Sequence, residues 1–170
     1  MNGRAGPRGL WALAALALPA LGACGFTPLY ATPGVGAGLA HIQVVAPPQD
    51  RVGYLLSEHL NDDFGHDVGA PPQFRLDMTL RQVRTAHGLT ANATAQRYEL
   101  DMRVDYTLTE IASGKVVDHG SVISNVSYDS ADQPYAGIAA RQDTQDRMAS
   151  DAAQKIELQV AAFMAGRSGS

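Results

Sequence analysis

Apolar and polar positions alternate with period 2 over two long stretches of the chain. Phe74, Leu76, Met78 and Leu80 alternate with Arg75, Asp77, Thr79 and Arg81. Further on, Tyr98, Leu100, Met102, Val104, Tyr106 and Leu108 alternate with Arg97, Glu99, Asp101, Arg103, Asp105 and Thr107. Successive strand side chains point to opposite faces, so both stretches are strands with one buried and one wet face. The second could reach about 50 Å at roughly 3.3 Å per residue. A shorter alternation, Ile42, Val44 and Ala46 against Gln43 and Val45, predicts a first strand stopped by Pro47 and Pro48. Between them the period changes. Val52, Leu55, Leu56, Leu60 and Phe64 form one stripe of a helix over 51–64, which Asp50 can cap and Gly65 can end. Gly53 weakens its first turn by about 1 kcal/mol relative to alanine. A last helix is expected over 135–164, with Asp129, Ser130 and Asp132 as possible caps and Met148, Ala149, Ala152, Ile156, Val160 and Phe163 facing inward. Its early part is alanine-rich and polar, which suggests that it projects beyond the core or lies against a partner.

The turn between the second long strand and the next sets a register. Ala112, Ser113 and Gly114 suit a three-residue loop with Gly114 left-handed, pairing Ile111 with Lys115. Val104 then faces Val122, Leu100 faces Val126 and Tyr98 faces Tyr128, so apolar residues meet on one face. Residues 85–95 are small, mostly uncharged and aperiodic, and read as an exposed, mobile hairpin tip. The order β-α-β-β-β-α predicts a two-layer α/β (α+β) sandwich: a four-stranded mixed, mostly antiparallel sheet with two helices on one face.

The first 23 residues have a different character. Arg4 and Arg8 precede an apolar run over 10–18, and small residues lead to Cys24. This is the layout of an export signal, with an apolar core shorter than the roughly 20 residues of a spanning helix. Leu21, Gly22, Ala23 and Cys24 resemble a bacterial lipobox, which implies cleavage before Cys24 and an N-acyl diglyceride on that residue. Each buried methylene contributes about 0.8 kcal/mol, so several acyl chains hold a soluble domain firmly to a bilayer. Gly25 stands where an aspartate would mark inner-membrane retention in enterobacterial lipoproteins, and by that likeness the destination is the outer membrane. The expected organisation is a removed signal over 1–23, a lipidated start and flexible tether over 24–40, an α/β domain over 41–165, and a frayed tail over 166–170.

The run Cys24, Gly25, Phe26, Thr27, Pro28, Leu29, Tyr30 makes the likeness specific. It resembles the start of the lipopolysaccharide-assembly lipoprotein family LptE, in its alphaproteobacterial form, and the remainder is similar in pattern, notably over 51–60 and 135–147. The resemblance implies a lipid-anchored protein on the periplasmic side of the outer membrane. It also implies a partner, the β-barrel LptD, which such a protein plugs and helps to assemble while lipopolysaccharide is inserted, and no catalysis.

Composition narrows the alternatives. The chain has 13 basic and 17 acidic residues; without Arg4 and Arg8 the balance is 11 to 17, a net of −6. General nucleic-acid binders show the opposite excess. One cysteine excludes internal disulfides and cysteine-based metal clusters. The five histidines include no helical i, i+4 pair, His119 and Ser121 come without a nucleophile elbow, and Asp62, Asp63 and Asp67 lack calcium-loop spacing. No enzyme and no cofactor is expected. One constellation does invite a role: Arg75 and Arg81 share a strand face, and Arg97 and Arg103 the matching face of its neighbour. They are either a solvated face balanced by Asp77, Glu99, Asp101 and Asp105, or contacts for lipid A phosphates or the barrel, for which guanidinium offers bidentate bonds. Two rival functions have different requirements. A periplasm-facing module for a small envelope ligand needs an apolar pocket between sheet and helices. A cell-wall-linked structural lipoprotein needs a long heptad helix.

Overall fold

Proline ends the first strand and thereby shapes the sheet. In the computed structural model, which describes residues 35–47, 51–65, 69, 71–89, 95–129 and 134–168, β1 (Ile42–Val45) stops just before the buried Pro47. The chain continues as α2 (Arg51–Phe64), β2 (Phe74–Leu89), β3 (Ala95–Glu110), β4 (Lys115–Asp129) and α3 (Pro134–Ser168). A short helix, α1 (Val35–Ala40), precedes β1. The sheet order is β1-β2-β3-β4, with β1 parallel to β2 and the other neighbours antiparallel. This is the expected α/β sandwich, and the second helix occupies the expected residues.

The core lies between the sheet's even-numbered face and the helices. Leu76, Met102, Val104 and Leu108 meet Val52, Leu56 and Leu60 of α2 and Met148, Ile156 and Val160 of α3, all fully buried. Alanines at 149, 152, 153 and 161 are also buried, so α3 approaches its neighbours closely. Gly53 has a use beyond its cost to the helix. A Cβ there would stand 3.3 Å from the Pro47 ring, so the small residue seats the first turn of α2 against the proline. The Ser57 hydroxyl donates to the Gly53 carbonyl at 2.9 Å.

Four expectations are corrected. The tether does not run flexibly through Ala40: residues 35–40 are helical, Leu39 is buried, and Gly38 lies against the Met164 side chain, because this stretch has an apolar partner in α3. The hairpin tip does not begin at Thr85, since β2 runs on to Leu89 and β3 starts at Ala95. Residues from Val83 to Gly88 are exposed on both faces, and a strand beyond the helical layer has no reason to alternate. The β3–β4 pairs Tyr98–Tyr128, Leu100–Val126 and Val104–Val122 are those expected, but the turn differs. Glu110 pairs with Lys115 around a four-residue turn, and a bulge between Leu108 and Thr109 restores the register. Gly114 is left-handed (φ 66°) and its N–H donates to the Glu110 carbonyl at 2.9 Å. Asp129 belongs to β4 and caps no helix; Cys24, Asp50, Ser130, Asp132 and the signal lie outside the described residues.

Tyr106 ties the layers together. It lies directly opposite Gly120, its hydroxyl donates to Gln159 of α3 at 2.9 Å, and it reaches Asp118 at 3.5 Å. Burial, and next the negative charge of Asp118, push its phenol up to about 12. Because the folded value is raised, the folded state favours the neutral phenol. That contribution is complete below about pH 10, the usual tyrosine value, and is lost as pH rises through about 12. An ultraviolet phenolate titration of the folded protein should therefore show a late step near pH 12 that vanishes in Tyr106→Phe. A titration unchanged by the substitution would contradict the assignment.

Candidate functional site

The odd-numbered residues of the long strands form the sheet's open face, which no described helix covers. The ladder places the four arginines in three rows. Arg81 of β2 stands directly opposite Arg103 of β3, with Ile123 of β4 next in the row. Arg97 stands opposite His87 on one side and Asp129 on the other, near the far end of the sheet. Arg75 lies at the near end, between Gln43 and Thr109. The structure thus unites Arg81 and Arg103 and separates Arg75 and Arg97 from them.

Their partners differ as well. Arg75 binds Asp77 at 2.8 Å and Arg97 binds Asp129 at 2.9 Å. Arg103 holds Asp105 through both Nε and a terminal nitrogen. That guanidinium, followed by the Ser121 hydroxyl, keeps the Asp105 carboxyl below its usual range, and Arg81 adds a smaller pull. Arg81 itself has no ion-pair partner within 4 Å among the described residues. Like charges directly opposite on a sheet repel; this row is cationic on β2 and β3 and apolar on β4, where Ile123 is 52% exposed, and Val83 beside the row on β2 is 53% exposed. The acidic residues named from the sequence neutralise two of the arginines, Asp77 for Arg75 and Asp105 for Arg103. Glu99 instead bonds His87 at 2.9 Å, and Asp101 bonds Asn125.

The far end carries two aromatic contacts, one of them unforeseen from the sequence. Tyr98 and Tyr128 stack at 5.4 Å between centroids, and the Arg84 guanidinium lies 4.8 Å over the Tyr98 ring. The Tyr98–Tyr128 pair follows from the expected register, whereas Arg84 fell in no pattern. Open recesses lie at the two ends of the sheet. One, of about 320 Å³, is bounded by His87, Gly88, Arg97 and Asp129; the other, of about 410 Å³, by Pro71, Phe74, Ile111 and Arg167 among others. His59, beside the stripe of α2, is half-buried and bonds Asp146 of α3 at 3.1 Å. Among the described residues no three His, Cys, Asp or Glu side chains converge as metal ligands, and no helix is long and apolar enough to cross a membrane.

A narrow sheet, one face packed by helices and the other charged, defines the class: a two-layer α/β sandwich of the kind seen in solved bacterial lipoproteins. The chain belongs to the LptE (lipopolysaccharide-assembly) family, whose model matches residues 39–160. It is similar to the crystal structure of a candidate lipoprotein from Caulobacter crescentus, with 42% identity, TM-score 0.66, and coverage of 78% of this chain and 97% of that one. The fold also matches rare lipoprotein B from Shewanella oneidensis (16% identity, TM-score 0.52, 71% and 92% covered). Lipoprotein B from Nitrosomonas europaea matches comparably (18%, 0.52, 72% and 82%). No curated protein matches the chain.

Proposed function

We propose that this protein is an outer-membrane lipoprotein, acylated at Cys24 and facing the periplasm, that plugs the LptD β-barrel, assists its assembly and helps insert lipopolysaccharide without catalysing a reaction. Membership of the lipopolysaccharide-assembly family supports the process. The observation that carries the finer reading is the Arg81–Arg103 pair: two arginines stand directly opposite in the ladder on an open polar face, one with no carboxylate of its own, flanked by exposed Val83 and Ile123. Phosphates beside acyl chains match that combination of charge and apolar rim. Strands of 16 residues make a blade about 50 Å long, a shape able to enter a wide, polar barrel lumen.

Lipopolysaccharide binding should fall about tenfold or more in Arg81→Ala with Arg103→Ala, since a bond to a charged group is worth about 1.5–3 kcal/mol. Arg75→Ala, at the far row from that pair, should change it little. Binding unaltered in the double variant would remove the phosphate role. Extraction of native outer membrane in mild detergent should yield a 1:1 complex with a large β-barrel, and recovery of the free lipoprotein alone would remove the plug.

A further inference from the structure

The two edges of the sheet are treated differently. β1 pairs with β2 only from Phe74 to Asp77, because Pro47 follows and has no N–H with which to extend a ladder. Alternation then decides where the remaining backbone groups of β2 point. The Phe74 N–H donates to the His41 carbonyl on the β1 side, and the Gln73 carbonyl accepts from Ile111 on the β3 side. Even-numbered residues therefore turn N–H and C=O away from β3, and the β2–β3 register is unbroken up to His87. The Val45–Asp77 pair still engages the Met78 N–H, and beyond it Leu80, Gln82, Arg84 and Ala86 present a continuous outward row with no hydrogen-bond partner among the described residues. Around it Thr79, Arg81, Val83, Arg84, Thr85, Ala86 and His87 are all exposed.

The opposite edge, β4, is guarded. Lys155 of α3 donates from Nζ to the outward carbonyl of Ile123 at 2.8 Å and binds Asp151 at 2.7 Å, which places a cation across the middle of that edge. Lysine on an edge strand is a common barrier to further pairing. The open edge has no such barrier, and its charge has one sign: residues 78–89 carry Arg81, Arg84 and His87 and no carboxylate.

We propose that the β2 edge from Leu80 to Ala86 receives an extended, acidic segment of a partner polypeptide by antiparallel or parallel strand addition. Main-chain bonds to the outward row supply the attachment, and alternate acidic side chains meet Arg81 on one face or Arg84 on the other. The charge argues against a second copy of this chain, which would bring two arginines of one edge against two of the other. The inference concerns backbone pairing and stands apart from lipid binding on the open face.

The test uses the full chain in mild detergent and a synthetic ten-residue peptide of alternating valine and glutamate. Hydrogen exchange at the amides of Leu80, Gln82, Arg84 and Ala86 should slow at least tenfold on its addition, while a valine–lysine peptide and an N-methylated valine–glutamate peptide should not slow it. Gln82→Pro removes one outward donor without touching the β3 ladder and should weaken the peptide at least tenfold; Arg81→Glu with Arg84→Glu should transfer the preference to the lysine peptide. No protection at millimolar peptide, or equal protection by both peptides, would overturn the proposal. So would outward amides already protected in the free monomer, which would assign the edge to the chain's own residues. A concentration-dependent dimer in sedimentation that protects them would assign it to a second copy, with the same result.

Discussion

Replacing Gly120 by valine should destabilise the protein by about 3 kcal/mol, the upper end for overpacking a well-filled site. A Cβ at this position would lie 2.6 Å from Tyr106 Cε1, Cζ and Oη, so the ring must leave. It cannot do so without loss, since its hydroxyl is bonded to Gln159 and its face is buried within the core. The urea midpoint should fall with an unchanged slope. Combining Gly120→Val with Tyr106→Ala should cost clearly less than the two separate losses, because the clash then has only one partner. Gly137→Ala is the control: nothing lies within 4 Å of a Cβ there, and an exposed part of a helix gains up to about 1 kcal/mol from the change. Equal midpoints for Gly120→Val and the parent would show that the ring does not depend on the glycine.

Ile156→Ala should cost a similar amount, about 3 kcal/mol, through lost burial and the cavity left behind. Ile156 is fully buried on the stripe of α3, which also carries the buried Ala149, Ala152 and Ala153. Those short side chains cannot swing in to fill the space. Two residues along, Leu158 is 51% exposed, and Leu158→Ala should stay within about 0.5 kcal/mol. If the two variants unfolded at the same denaturant concentration, the packing of α3 would be wrong by a rotation about its own axis.

These two sites mark how far sequence reasoning reached. Helix α2 was legible because its stripe, the prolines before it and Gly65 after it all pointed to the same boundaries. The length of β3 and its pairing with β4 were legible because the alternation runs unbroken from Tyr98 to Leu108 and one register sets Tyr98, Leu100 and Val104 against Tyr128, Val126 and Val122. The bulge beside Leu108 was not, since the same register is compatible with a three-residue turn or with a four-residue turn and a bulge. Beyond Leu80 the periodic signal fades, because the strands outrun the helices and both faces meet water. The Arg81–Arg103 opposition was hidden for the same reason: nothing in the residues joining β2 to β3 fixes where the two strands come into register. The Tyr106–Gly120 contact lay within the expected register, but a glycine in a strand announces only that something comes close, not which side chain.

Helix α1 gives the blade a heel and a toe. By packing Leu39 and Gly38 onto the last turns of α3, it makes the chain enter at the same end as Arg167, Phe74 and Glu110. With acyl chains on Cys24, ten residues separate the anchor from Val35, a leash of at most about 35 Å. That is shorter than the blade, so the heel is confined near the bilayer surface, and the stacked tyrosines and Arg97 at the toe sweep a shell some 50 Å further out. An anchor at Cys24, as proposed, would thus act as a ruler for how far from the bilayer the toe is presented.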